Sequence, residues 1–180
     1  LVDVLQEALA RNQVENSIEK LKKGEAMMKA KAFIQLIHHF RDDALSVDTP
    51  PVEKVAIFDE AQRAWTLEQT SSFMQKKKGK SDFNMSEPEF LISVMDRHND
   101  WAVIICLVGG GQEINTGEAG LPEWFDALRR CFRHWHVYIS SNLTDVEYTH
   151  NNNLKVMLSD LNFELLEELH LSVSLRSFRS

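Results

Sequence analysis

A chain of 180 residues with 43% hydrophobic content can bury a sizeable core, and its net charge of −7 argues against a generally basic nucleic-acid-binding surface while leaving room for a local groove. No apolar run reaches bilayer length and no signal-peptide pattern opens the chain. Two cysteines make no disulfide framework, so a reduced, cytoplasmic protein is the economical reading.

From the N-terminus, Leu1, Val4, Leu5 and Leu9 recur at helical spacing over residues 1–10. A longer helix is predicted from near Ser17 to His39, with Met27, Ala30, Phe33, Ile34, Ile37 and Phe40 on one side. His38 and His39 would then close that helix, where the macrodipole favours them. The stretch Val47-Asp48-Thr49-Pro50-Pro51 reads as a linker feeding the first core strand.

Residues 55–65, Val-Ala-Ile-Phe-Asp-Glu-Ala-Gln-Arg-Ala-Trp, are the most informative stretch. Four apolar residues predict a buried parallel strand, and Asp59 and Glu60 stand where it ends. Ligands of open α/β sheets bind beyond the carboxyl ends of the strands. Adjacent carboxylates there are costly unless they hold a cation or do chemistry. One arrangement fits: Asp59 holds Mg²⁺ on a nucleoside triphosphate, and Glu60 positions or activates the attacking water. The plainer alternative is a strand end carrying two solvated acids.

Residues 67–74 look helical and lead into a polar loop at residues 76–82. The lysines at 76, 77, 78 and 80 suit a phosphate backbone, but no aromatic platform accompanies them, and a solvated loop is the preferred reading. Ser86-Glu87-Pro88-Glu89 makes a helix start with Ser86 as N-cap; that helix carries Phe90, Leu91, Val94 and Met95 and ends near His98 and Asn99. Residues 101–112 repeat the earlier design: an apolar strand over residues 102–108 stops at Gly109, Gly110, Gly111 and Gln112. The glycines permit positive φ and close approach to a ligand, and the Gln112 amide suits sensing a phosphate or the attacking water.

Leu121-Pro122-Glu123-Trp124 opens a helix running through Phe132, and residues 137–140 and 169–175 read as two further strands. His134-Trp135-His136 would set two imidazoles on one face of a strand, with no metal-ligand spacing to complete a site. Trp65 and Trp124 read as packing residues beside the two motifs, and Asn151-Asn152-Asn153 as a turn. The alternation of strand and helix predicts an α/β fold with a mostly parallel sheet covered on both faces.

The string VAIFDEAQRAW resembles a helicase-type Walker B motif, and LVGGGQEINTGEAGLPEWFDAL resembles the motif III that follows it in superfamily-one-like helicases. Together they resemble a bacterial family of unknown function related to superfamily-one DNA/RNA helicases and to the Schlafen-type helicase domain. The final VSLRSFRS is similar to the start of motif IV, whose arginine reaches the γ-phosphate; Arg179 matches that position and Arg176 is the alternative. The resemblance spans residues 1–180 as one partial helicase-like ATPase domain and implies a three-layer α/β/α, partial RecA-like P-loop core. It implies ATP and Mg²⁺ as cofactors, with Asp59, Gln62, Gly109, Gly110 and Gly111 at the cofactor and Asp59 on the metal. Glu60, Gln112 and Arg179 would act in catalysis, and Gln62, Gln112 and Arg179 would link the γ-phosphate to movement along DNA or RNA.

The departures from that pattern matter as much. A phosphate-binding loop, Gly-x-x-x-x-Gly-Lys-Ser/Thr, is missing before Val55. Gly79-Lys80-Ser81 is a decoy, because Met74 occupies the first glycine position and the triplet follows a helical run. With leucine at position 1 as well, the sequence reads as a piece of a longer protein, in which case the isolated chain should hold no cofactor tightly and hydrolyse ATP feebly or not at all. The alternative function is a non-catalytic nucleic-acid or protein interaction module on a degenerate ATPase scaffold.

Overall fold

The computed structural model describes residues 2–17, 21–109, 116, 118–144 and 154–171. The chain divides into two compact units, Leu1–Thr49 and Pro50–Ser180. The boundary falls inside the Pro-Pro linker, where the second proline's missing N–H and the extended bias of the preceding residue disfavour helix.

Three helices build the first unit: α1 (Val2–Asn16), α2 (Lys23–Phe33) and α3 (Ile37–Ser46). Ala10 of α1 and Ala26 and Ala30 of α2 are completely buried against one another, with Leu9, Val14, Leu21 and Met27 packed around them. Small residues at this seam let the two helices approach closely. The single helix predicted over residues 17–39 is therefore two. β-Branched Ile34 adopts extended geometry at the end of α2. Its carbonyl accepts a hydrogen bond from Gln6 Nε2 at 2.6 Å, so a side chain from α1 takes the acceptor that a continuing helix would have used. His38 and His39 consequently lie in the first turn of α3, not at a helix C-terminus.

The second unit is α/β with parallel strands. Strand β1 (Val55–Phe58) pairs in parallel with β2 (Val103–Cys106), in the register Val55 with Val103 through Phe58 with Cys106. Between them run α4 (Leu67–Lys78) and α5 (Glu87–Met95). After β2 come α6 (Gly120–Cys131), β3 (His136–Ser140) and β4 (Asn162–Leu166), and β3 pairs in parallel with β4. The last strand thus lies earlier than the predicted 169–175. Glu167–Leu169 form a short 3₁₀ turn, and residues 172–175 lie outside the described residues.

Helix α5 is the centre of this unit. Ser86 Oγ accepts from the Glu89 backbone N–H at 3.3 Å, and proline occupies the first turn, as the sequence pattern requires. Phe90, Leu91, Ile92, Val94 and Met95 are buried on almost every side of the helix, which ends at Met95, earlier than residues 98–99. Arg130 of α6 reaches both Glu89 of α5 and Glu123 at 2.7 Å, tying the two helices at their rim. Helix α4 starts at an N-cap, Thr66, and runs on to Lys78, so Lys76, Lys77 and Lys78 form its last turn instead of a loop.

Burial of the β1–β2 pair alternates. Phe58 is buried, whereas Val55, Ile57, Val103 and Ile105 are exposed, Ile57 to 62%. The expectation of helices over both faces is thus not met among the described residues. A continuous apolar run predicts burial of both faces only where the chain supplies a second cover.

Candidate functional site

The site forms where β1 and β2 end side by side. The Leu107 N–H donates to the Phe58 carbonyl at 2.9 Å, and the Ala61 N–H donates back to the Leu107 carbonyl at 2.9 Å. The chain leaving β1 is thereby folded over the end of β2. Between those two bonds stand Asp59 and Glu60, in the tight turn that leads into the 3₁₀ turn Ala61–Arg63. Turning this sharply puts Glu60 in the left-handed region, at φ 52° and ψ 44°. Such a conformation costs a non-glycine residue about 1–3 kcal/mol and persists only where the surroundings enforce it.

Three contacts do so. The Trp124 indole N–H of α6 donates to the Ala61 carbonyl at 2.8 Å, its ring lying 5.8 Å from that of Phe58. Gln62, only 6% exposed, donates from Nε2 to Glu60 Oε2 at 2.6 Å. The other end of the same amide, Oε1, accepts from the Gly109 backbone N–H at 3.4 Å. Arg63 Nε lies 3.9 Å from Glu60 Oε2, adding a weaker positive neighbour at the solvent side.

Asp59 is exposed, and its Oδ1 accepts from the Glu60 N–H at 3.1 Å. That suits Mg²⁺, which keeps several waters and is typically bound by one or two carboxylates plus substrate phosphates. Among the described residues no group of three or more His, Cys, Asp or Glu could hold a metal by itself.

The segment after the glycine triplet returns beside the turn. Ala119 N–H donates to the Ala64 carbonyl at 2.7 Å, and Trp65 forms an isolated antiparallel bridge with Glu118. On its other side Trp65 is held by Glu87, whose carboxylate accepts the Trp65 N–H at 3.0 Å while the Glu87 N–H donates to the Trp65 carbonyl at 3.1 Å. Glu87 is 3% exposed, a buried carboxylate that the capping pattern around it did not reveal.

Of the sequence-predicted site residues, Asp59, Glu60, Gln62 and Gly109 come together here. Gly110, Gly111, Gln112, Arg176 and Arg179 lie outside the described residues, as does the Asn151–Asn153 run. Gly79 adopts φ 65° and ends α4, so Gly79-Lys80-Ser81 follows a helix and stops it. The two imidazoles do not share a strand face: Asp96 Oδ1 engages both His134 and the Trp135 indole N–H at 2.7 Å, keeping both residues ahead of β3. No helix among the described residues is long and apolar enough to cross a membrane.

A family model described as Schlafen group 3, DNA/RNA helicase domain, matches residues 1–180, and the chain belongs to that family. Comparison with curated proteins and with solved structures gave no match to either.

Proposed function

We propose that this member of the Schlafen group 3 helicase-domain family carries the acidic pair of an ATP-hydrolysing site that drives work on DNA or RNA. The observation that supports it most is the Asp59–Glu60 pair at the carboxyl end of β1, joined through one buried amide to the glycine at the end of parallel β2. Mg²⁺, when bound with ATP, would neutralise phosphate charge. Asp59 would hold it, since it is exposed in the turn at the end of β1. Glu60 is half-buried and fixed in orientation, which suits a group that accepts a proton from, or orients, the attacking water. Gly110, Gly111, Gln112 and Arg179 are assigned by resemblance to the γ-phosphate side of the same cleft. Cys106 and Cys131 are both free thiols, which suits a cytoplasmic protein.

The test measures nucleotide binding and hydrolysis by the protein and its variants. Glu60→Gln should keep nucleotide binding while lowering hydrolysis by about 10²-fold or more, as loss of a general base implies. Asp59→Asn should instead weaken Mg²⁺-dependent nucleotide binding. Unchanged turnover in Glu60→Gln would remove the assigned role. Nucleic-acid binding without any nucleotide hydrolysis would favour the non-catalytic interaction module.

A further inference from the structure

The Gln62 side chain touches both motif ends, and its orientation is dictated by its partners. The chemistry settles that orientation, because a carboxylate only accepts and a backbone N–H only donates. Reversing the amide would set oxygen against the Glu60 carboxylate and N–H against the Gly109 N–H. With the residue 6% exposed, water is poorly placed to replace either bond.

Resting on the ATPase reading above, we propose that Gln62 is a positioning residue: it holds the Glu60 carboxylate through one amide end and the Gly109 backbone through the other, so that the acid and the start of the glycine triplet move together. Both ends of the amide are engaged within the protein, so Gln62 acts through Glu60 and does not need to touch the nucleotide. The left-handed backbone of Glu60 strengthens the argument. A carboxylate on a strained, tight turn has few alternative placements, and the Gln62 donor selects among them. The backbone conformation at Gly109 would then be read out as the placement of the Glu60 oxygens.

The test is a double-mutant cycle read at one backbone amide of the chain itself. In ¹⁵N-labelled protein, Glu60→Ala removes the acceptor of Gln62 Nε2, and the Gly109 amide resonance should shift. In a Gln62→Met background, which keeps the side-chain length and removes both hydrogen bonds, Glu60→Ala should leave Gly109 unmoved. Equal shifts in the two backgrounds overturn the proposal. Gln62→Leu provides the second route if Gln62→Met does not fold, since it too removes both hydrogen bonds and adds no charge beside Glu60. Gly109 should again be unmoved by Glu60→Ala; a persistent response overturns the proposal. In the intact protein Gln62→Met should lower kcat about tenfold and change KM less than about twofold, the pattern of lost alignment in the transition state. A KM effect with unchanged kcat would make Gln62 a nucleotide contact instead. Absence of hydrolysis in the unmutated intact protein would defeat the ATPase reading and leave the amide cycle to decide the role of Gln62.

Discussion

Replacing Trp124 by phenylalanine tests how the acidic turn is held. Trp124 is 5% exposed and its indole N–H is the donor that α6 supplies to the Ala61 carbonyl. Phenylalanine retains an aromatic ring near Phe58 but removes the donor. A net hydrogen bond contributes about 1 kcal/mol, and the Ala61 carbonyl keeps a second, longer partner in the Ala64 N–H at 3.3 Å, so the full penalty of an orphaned acceptor does not apply. The smaller ring also buries roughly 50 Å² less apolar surface, worth about 1 kcal/mol at ~25 cal/mol/Å². The sum is about 2 kcal/mol, which at a urea slope of ~2 kcal/mol/M lowers the midpoint by about 1 M. All four tryptophans, at 65, 101, 124 and 135, lie in the second unit, so tryptophan fluorescence follows that unit alone. Trp101→Phe is the internal control: Trp101 is 55% exposed, stacks against Lys54 and should cost under about 1 kcal/mol. Equal midpoints for Trp124→Phe and the unmutated chain would refute the claim that α6 anchors the turn.

Replacing Lys76, Lys77 and Lys78 by glutamine should cost about 0.3–1 kcal/mol, since they complete the last turn of α4 where cations are favoured. The same triple change should leave the log–log salt dependence of DNA or RNA binding nearly unaltered; a fall in slope of roughly 2–3 would identify them as phosphate contacts. Thiol labelling at neutral pH should modify exposed Cys131 first, because burial pushes the Cys106 thiol up to about 12 from an ordinary 9.0. The sign for stability follows: below pH 9 Cys106 is neutral folded or unfolded, and between 9 and about 12 only the unfolded form ionises, so stability should fall across that window and fall less in Cys106→Ala.

Features set by near neighbours in sequence were legible in advance. The Ser86 cap and proline start, the helix opening near Leu121 and the two apolar runs ending in Asp59 and Gly109 all depend on local pattern and turn chemistry, and each stands close to its expected place. What escaped depends on partners far along the chain. The break at Ile34 owes its carbonyl partner to Gln6, twenty-eight residues away. His134 and Trp135 are drawn to Asp96, thirty-eight and thirty-nine residues away. The continuous apolar runs could not tell a strand covered twice from one covered once, because the alternation appears only when cover is missing. Gln62 stood out by resemblance, but its bond to Gly109 spans forty-seven residues and no local spacing encodes it.

The acidic turn therefore cannot be a property of its own sequence. A glycine at position 60 would relieve a left-handed conformation costing about 1–3 kcal/mol, yet it would carry no carboxylate. Keeping glutamate there requires compensation, and the structure supplies it from separate parts of the unit: the Leu107 carbonyl just past β2, the Trp124 indole from α6 and the Gln62 amide braced on Gly109. Each bond contributes about 0.5–1.5 kcal/mol, somewhat more for the one to the charged carboxylate, so together they are comparable with or larger than the strain. The turn can persist only after β2 and α6 have docked. Asp59 and Glu60 thus gain their fixed geometry when the whole second unit is folded.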